Sequence, residues 1–233
     1  MSHRAVKDRL YTEFARVGAA LASEKRLELV DLLAQAPRNV ESLAAETGMS
    51  TANTSQHLQA LKAARLLETD REGTRVIYRL ASEDVLGLWL ALRSVAESHL
   101  AEIGQVARES GLGGTEAERV RREDLNSLVE DDQALIVDVR PTIEFEHGHL
   151  PRAISVPLST LPDAAARLPR DRRLVVYCRG AYCQFADEAV ETLRSAGFDA
   201  VRLEGGWPEW LLERRPVEGP VALVNSTHSS ESF

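Results

Sequence analysis

With 233 residues, 44% hydrophobic and 27% charged, the chain has a globular composition and length enough for two ordinary domains. Its formal net charge of −8 excludes a protein coated in basic residues, and no apolar run reaches the roughly 18 residues of a membrane span. Residues 1–8 lack the hydrophobic core of a secretory leader, so a reducing cytoplasm, in which the two cysteines stay free thiols, is expected.

Charge is unevenly spread. Residues 1–110 carry 14 Lys/Arg against 15 Asp/Glu, whereas residues 111–233 carry 14 against 21. Within the near-neutral half, Lys62, Arg65, Arg71, Arg75 and Arg79 outnumber Glu68, Asp70 and Glu72, a local basic patch suited to nucleic acid.

Along the first half, apolar residues follow helical spacing. Leu27, Val30, Leu32 and Leu33 mark one helix, Val40, Leu43 and Ala44 a second, and Leu58, Leu61 and Leu66 a third. Asn39 and Ser50 stand where N-caps belong, and Gly48 falls in the short turn between the second and third helices. Two predicted strands follow, Leu66–Thr69 and Arg75–Leu80, around a turn at Glu72-Gly73. Three helices and a hairpin make a winged helix.

From Glu83 to Glu109 the spacing of Val85, Trp89, Leu92, Ala96, Leu100, Ile103 and Val106 predicts one long helix. It is longer than a compact core needs, which favours a dimerisation helix over one packed only on its own domain. The Gly-rich run around Gly111-Leu112-Gly113-Gly114 then marks a linker. The expected organisation is a DNA-binding and dimerisation domain over 1–110, a linker over 111–119, a second domain over 120–217 and a tail over 218–233.

Past the linker, short apolar runs alternate with helical segments. Residues 135–139 and 174–177 are continuous apolar runs typical of buried parallel strands, and residues 200–203 form a shorter one. Helices are predicted over Pro162–Leu168, Gln184–Ala196 and Pro208–Glu213, giving an α/β domain with a parallel sheet. One of these runs ends in Tyr177-Cys178-Arg179-Gly180-Ala181-Tyr182-Cys183, with a helix beginning at once. Both cysteines of the protein lie in that loop. A thiol at a strand end, facing loop N–H groups and a helix N-terminus, ionises more easily than a free one and becomes a nucleophile.

The first half resembles the arsenic-repressor (ArsR) family of winged-helix transcription factors over residues 10–105. The matching residues are Ala22 to Val30, Leu43 to Ser50, Ser55-Gln56-His57-Leu58-Gln59-Ala60-Leu61 and Gly73 to Tyr78. The resemblance implies a recognition helix starting near Ser50. With Thr54, Leu58 and Leu61 turned to the core, Thr51, Ser55, Gln56 and Gln59 face a major groove. Arg71 and Arg75 on the wing then touch the backbone or minor groove of double-stranded operator DNA, and a homodimer presents two recognition helices to a pseudo-palindrome. Many relatives sense metals through third-helix cysteines or Asp/His clusters on the last helix. Here Val40–Thr47 has no cysteine and the last helix offers His99 alone, so neither a metal nor a cofactor is expected.

The second half resembles a rhodanese domain, a sulfurtransferase fold, over residues 120–217. The matches are Leu135 to Arg140, Glu144 to Pro157, the Cys178 loop and Leu203 to Trp210. The resemblance implies that Cys178 carries sulfane sulfur as a persulfide, cradled by the loop formed by Arg179, Gly180, Ala181, Tyr182 and Cys183. Asp138 and Arg140 are expected to pair at a strand end, with Arg140 bordering the pocket as the alternative. The loop ends in Cys183, where many thiosulfate-using relatives carry a basic residue. The absence of a closing arginine also argues against phosphatase chemistry. A Cys178 persulfide attacked by Cys183 would form a bridged pair, the reversible change a sensor needs; the alternative for Cys183 is a small buried residue at a helix start.

Together these features point to a cytoplasmic, dimeric DNA-binding repressor that senses a sulfane-sulfur donor or persulfide. The competing expectations are a thiosulfate or persulfide sulfurtransferase with an accessory DNA-binding domain, and a degenerate rhodanese domain used for protein contact. Whether the domain turns over as an enzyme is left open by the sequence.

Overall fold

The structure, a computed structural model, describes residues 2–112, 119–131 and 133–220. Most of the expected linker, Gly113–Glu118, and the expected tail from Val221 onward lie outside the described residues. Two compact units meet within one helix, the first ending at Trp89 and the second beginning at Leu90. Among the described residues no helix is long and apolar enough to cross a membrane.

The first unit runs α1 (His3–Leu21), α2 (Glu24–Leu33), β1 (Arg38–Asn39), α3 (Val40–Thr47), α4 (Thr51–Ala63), β2 (Leu67–Glu72), β3 (Arg75–Leu80) and the start of α5 (Glu83–His99). Local chemistry fixes the helix-turn-helix. Asn39 caps α3 by accepting from the Ser42 N–H at 2.8 Å, and Ser50 caps α4 by accepting from the Asn53 N–H at 3.2 Å. Gly48 ends α3 at φ 65°, the left-handed conformation that favours glycine at a helix C-terminus. Leu29, Val30, Leu33, Leu43, Leu58 and Leu61 bring the three helices together over one buried core. Each such side chain contributes roughly 1.5–3 kcal/mol by leaving water.

The wing is an antiparallel hairpin whose ladder runs from Leu67↔Leu80 to Glu72↔Arg75. β2 therefore extends to the turn rather than stopping at Thr69, because backbone pairing continues through polar residues exposed on both faces. β1, with two residues pairing to Tyr78 and Ile77, is too short to leave a periodic pattern in the sequence.

The long helix expected over 83–109 is two helices. α5 ends at His99 and α6 covers Ala101–Glu109, with Leu100 between them in an extended conformation at φ −108° and ψ 99°. The Ser98 hydroxyl donates to the Ser94 carbonyl at 2.8 Å, a side-chain bond that bends helices. Leu100 is exposed and α6 buries no residue, so no packing straightens the rod.

The second unit adds β4 (Arg119–Val120), α7 (Arg122–Glu130), β5 (Ala134–Asp138), α8 (Thr142–His147), β6 (Ile154–Ser155), α9 (Leu161–Ala164), β7 (Arg173–Tyr177), α10 (Gln184–Ser195), β8 (Ala200–Leu203) and α11 (Trp207–Leu212). The five strands are parallel in the order β4-β8-β7-β5-β6. Alternation along β7 divides the core. Leu174 and Val176 join Ala186, Ala189 and Leu193 of α10 on one face, while Val175 and Tyr177 join Trp207 and Trp210 on the other. The order in which strands are added reverses between β5 and β7, and in open parallel sheets ligand sites form beside such a point, beyond the carboxyl ends of the strands.

Candidate functional site

Cys178 is the residue immediately after β7. It continues the strand's alternation, so its side chain enters the α10 face of the core and is fully buried. Cys183 N-caps the twelve-residue α10 and is half-buried. Both thiols are free, and the Cys178 thiol points to the Cys183 carbonyl at 3.6 Å and the Gly180 carbonyl at 3.8 Å. The loop between them is tight: the Cys183 N–H donates to the Gly180 carbonyl at 3.2 Å.

The two sulfurs sit in opposite electrostatic environments. Burial pushes the Cys178 thiol up, and its hydrogen bond to Cys183 adds to this, outweighing the Arg202 charge and the Gly180 N–H. Cys183 is lowered to about 7, first by the hydrogen bond from Cys178, then by the N–H groups of Arg179 and Phe185 and the Arg179 charge, against its own desolvation. The more acidic sulfur is therefore the one nearer solvent.

Several residues that the sequence did not single out hold this loop. Arg202 of β8 is buried, and its guanidinium donates to the carbonyls of Gly180 at 2.7 Å and Ala181 at 2.9 Å while pairing with Asp187 of α10. Glu144 of α8 is fully buried and takes Arg179 in an ion pair at 2.6 Å. Arg179 also lies over the Phe185 ring, so its charge is largely committed within the protein. Gly206 packs so closely that an added Cβ would run into the backbone of Gly180 and Cys178. Gly180 itself has φ 150° and lies beside the Arg93 and Glu209 side chains.

The contacts of the loop's outer side also come from within the second unit. Arg93, on the part of α5 belonging to that unit, pairs with Glu209 of α11 and with Glu97 at 3.2 Å. The Tyr182 hydroxyl is pushed up by partial burial and by the nearby Glu97 charge. Below the loop, Arg140 pairs with Asp138 at 2.7 Å, donates to the Gly148 carbonyl at 2.7 Å and lies over the Trp207 ring. Tyr177 donates to the same carboxylate. All three side chains are buried, which makes Arg140 part of the scaffold rather than the pocket rim.

In the first unit, Thr51, Gln56 and Gln59 are exposed along α4, Ser50 is exposed at its cap, and Ser55 is half-buried. Thr54, Leu58 and Leu61 fill the buried face. Gln59 donates to the Tyr78 hydroxyl at 3.2 Å, tethering α4 to the wing. Arg71 and Arg75 are exposed beside the turn. Arg79, part of the basic patch in the sequence, is instead buried between Glu68 at 2.5 Å and Asp70 at 2.8 Å, and Lys62 donates to the Thr69 hydroxyl at 2.7 Å.

A winged helix-turn-helix and a parallel α/β domain with a cysteine loop at its strand ends define a DNA-binding regulator joined to a rhodanese-like domain. Comparison with known proteins agrees. Residues 23–69 match the model described as bacterial regulatory protein, arsR family, and residues 121–213 match the rhodanese-like domain. The chain is 45% identical to the HTH-type transcriptional regulator Rv0324 of Mycobacterium tuberculosis, over 91% of its own length and 93% of the relative's. It is 30% identical to a sulfurtransferase of Allochromatium vinosum, over 40% of this chain and 86% of that one. A solved structure from Mycobacterium bovis, titled as a homodimeric winged helix-turn-helix DNA-binding domain, is 49% identical, covers 43% of this chain and 91% of its own, and gives a TM-score of 0.40. The chain belongs to the ArsR family of transcriptional regulators, in a form that carries a C-terminal rhodanese domain.

Proposed function

We propose that this regulator is a homodimeric repressor whose rhodanese domain senses sulfane sulfur at the Cys178–Cys183 loop. The observation that carries it is the pair of free thiols at the two ends of one tight loop, one buried and one half-buried, held by Arg202 and the backbone of Gly206. Sulfur added to such a pair changes a packed loop rather than a flexible one. Exposed apolar side chains on α1 (Leu10, Tyr11, Phe14) and α5 (Leu92, Val95) favour a second copy of the chain as dimer partner. Thr51, Ser55, Gln56 and Gln59 then read base edges, with Ser50 at the helix start and Arg71 and Arg75 on phosphates or in the minor groove.

The signal leaves the loop through α5. Gly180 lies beside Arg93, Tyr182 is near the Glu97 charge, and both partners stand on that helix, whose earlier residues belong to the first unit. Persulfidation weakens operator binding, because the sulfur state and the DNA-bound state are linked through one equilibrium.

The test is duplex binding by the reduced protein, with an operator selected from a random-sequence pool, before and after polysulfide treatment. Wild type loses affinity on treatment and recovers it with a thiol reductant; equal affinity in both states defeats the sensor assignment. A second reading, a turning-over sulfurtransferase, draws on the likeness to the Allochromatium protein. Sustained sulfur transfer to cyanide or a thiol over many turnovers, with operator affinity indifferent to sulfur, selects it instead.

A further inference from the structure

Resting on the DNA-reading half of the assignment above, we infer that Gln59 and Lys62 of α4 form a two-point clamp that sets the angle of the wing against the recognition helix, and so aims Arg71 at the duplex. Both are positioning residues in this role. It is additional to any base contact of Gln59, because it acts through the wing.

Gln59 and Lys62 are both exposed and stand one turn apart on α4, so their side chains leave the same face. The Gln59 amide donates to the Tyr78 hydroxyl at 3.2 Å, and the Lys62 ammonium to the Thr69 hydroxyl at 2.7 Å. Tyr78 is buried, so its hydroxyl needs a partner, and Gln59 supplies it. The two acceptors are not scattered over the wing: Thr69 and Tyr78 are paired across the β2–β3 ladder, so both bonds land on a single rung. That rung is where the hairpin leaves the core. Leu67 and Leu80 on its inner side are buried, whereas residues 70–76 beyond it are all exposed. Packing holds the base of the hairpin and does nothing to aim its tip. Side chains alternate along a strand, so Leu67, Thr69 and Arg71 share one face with Leu80, Tyr78 and Val76, and Arg75 lies on the other. Arg71 is thus the wing cation on the face that α4 clamps.

The clamped rung acts as a fulcrum. On the opposite face Arg79 pairs with Glu68 and Asp70, which ties the two strands together at the same point, so the hairpin tilts as one piece. The tip pair Glu72↔Arg75 lies three residues beyond the rung. That is about 10 Å of strand, and a swing of about 10° moves the tip by about 2 Å. A guanidinium donates well to a phosphate oxygen only over about 2.7 to 3.2 Å, so a shift of that size breaks the contact. The strength of the Arg71 contact therefore depends on whether the rung is held.

The experiment opens the clamp from the wing side, which leaves every α4 side chain in place. Tyr78→Phe removes one hydroxyl and Thr69→Val replaces the other by a methyl group; Tyr78→Phe alone serves should the pair misfold, as read by thermal unfolding. Fluorescence anisotropy gives the affinity of the full-length chain for an operator selected from a random-sequence pool, with and without Arg71→Ala in each background. In the wild-type background Arg71→Ala weakens binding about five- to tenfold and lowers the salt slope by about 1. In the opened background binding is itself about fivefold weaker, and Arg71→Ala then weakens it by less than about twofold, with the slope unchanged. Lost stability alone does not produce that coupling, because a folded wing that kept its angle would still lose the Arg71 contact in full. An opened chain that binds within about twofold of wild type or more tightly, or an Arg71→Ala effect equal in both backgrounds, overturns the clamp. Folded wild type that selects no duplex overturns the DNA-reading assignment itself, and the inference with it.

Discussion

Arg202 is the residue whose removal tests the architecture of the sulfur site most directly. In Arg202→Met, two charge-assisted hydrogen bonds to the Gly180 and Ala181 carbonyls disappear, each contributing about 1.5–3 kcal/mol when the acceptor is otherwise buried. Asp187 also loses its cation, but its side chain is 22% exposed and water takes up part of the loss. The methionine stem refills some of the volume. The net effect is about 4 kcal/mol, or roughly 15 °C in the transition of a unit of this size. Differential scanning calorimetry of wild type, Arg202→Met, Asp187→Asn and the double variant gives the value and the coupling. The double variant should be less destabilised than the sum of the singles, by about 1 kcal/mol or more. A shift below about 3 °C for Arg202→Met, or strict additivity, refutes the argument that one buried guanidinium holds both the loop and α10.

Three further outcomes follow from other parts of the molecule. His147 is lowered to about 4 by burial and by the Arg140 charge, against 6.5 when unfolded. The unfolded chain therefore binds the extra proton first, and this contribution, whole above pH 6.5, is lost as the pH falls towards 4. With a discount for partial exposure it amounts to about 1–2 kcal/mol, read as the difference in urea midpoint between pH 7 and pH 4.5 for wild type against His147→Gln. Gly206→Ala forces the Cys178 loop outward and should cost about 1–3 kcal/mol, with faster alkylation of Cys178; an unchanged alkylation rate counts against the close approach seen at Gly206. Arg75→Ala weakens operator and random duplex alike and lowers the salt slope by about 1, whereas Gln56→Ala relaxes one base position by about 1–3 kcal/mol. A sequence-specific loss in Arg75→Ala places that side chain on a base rather than a phosphate.

Much of the first unit is legible in the sequence because its determinants are local. Asn39, Gly48 and Ser50 each act within three or four residues of themselves, and Leu58 and Leu61 repeat at helical spacing. The pattern over 83–109 is equally regular, yet the chain breaks at Leu100, since a stripe of apolar residues makes a continuous rod only when something covers it. Arg79 shows the same limit for charge. Its sign is visible in the sequence, but its burial between Glu68 and Asp70 follows from the hairpin register. In the second unit the cysteine loop stands out, while its supports do not. Arg202, Glu144 and Gly206 lie 19 to 34 residues from the nearer cysteine and meet the loop only through sheet order and helix packing. Nor does spacing tell which thiol is acidic. That depends on which sulfur the core covers and on the charges that surround each one in the fold.

The energy that the proposed sensing requires is small compared with what the loop's neighbours hold. A tenfold change in operator affinity needs a differential of about 1.4 kcal/mol between the sulfur-loaded and reduced states. The Arg93–Glu209 ion pair has both side chains mostly buried, at 16% and 14% exposure, and it sits against Gly180 within the second unit. A charged hydrogen bond so shielded contributes about 1.5–3 kcal/mol. Gly180, with φ 150° and Gly206 packed behind it, lies beside Arg93 and Glu209, so a covalent change in the loop, as proposed, acts next to that pair. Partial loss of that single pair is then sufficient in magnitude for a regulatory response.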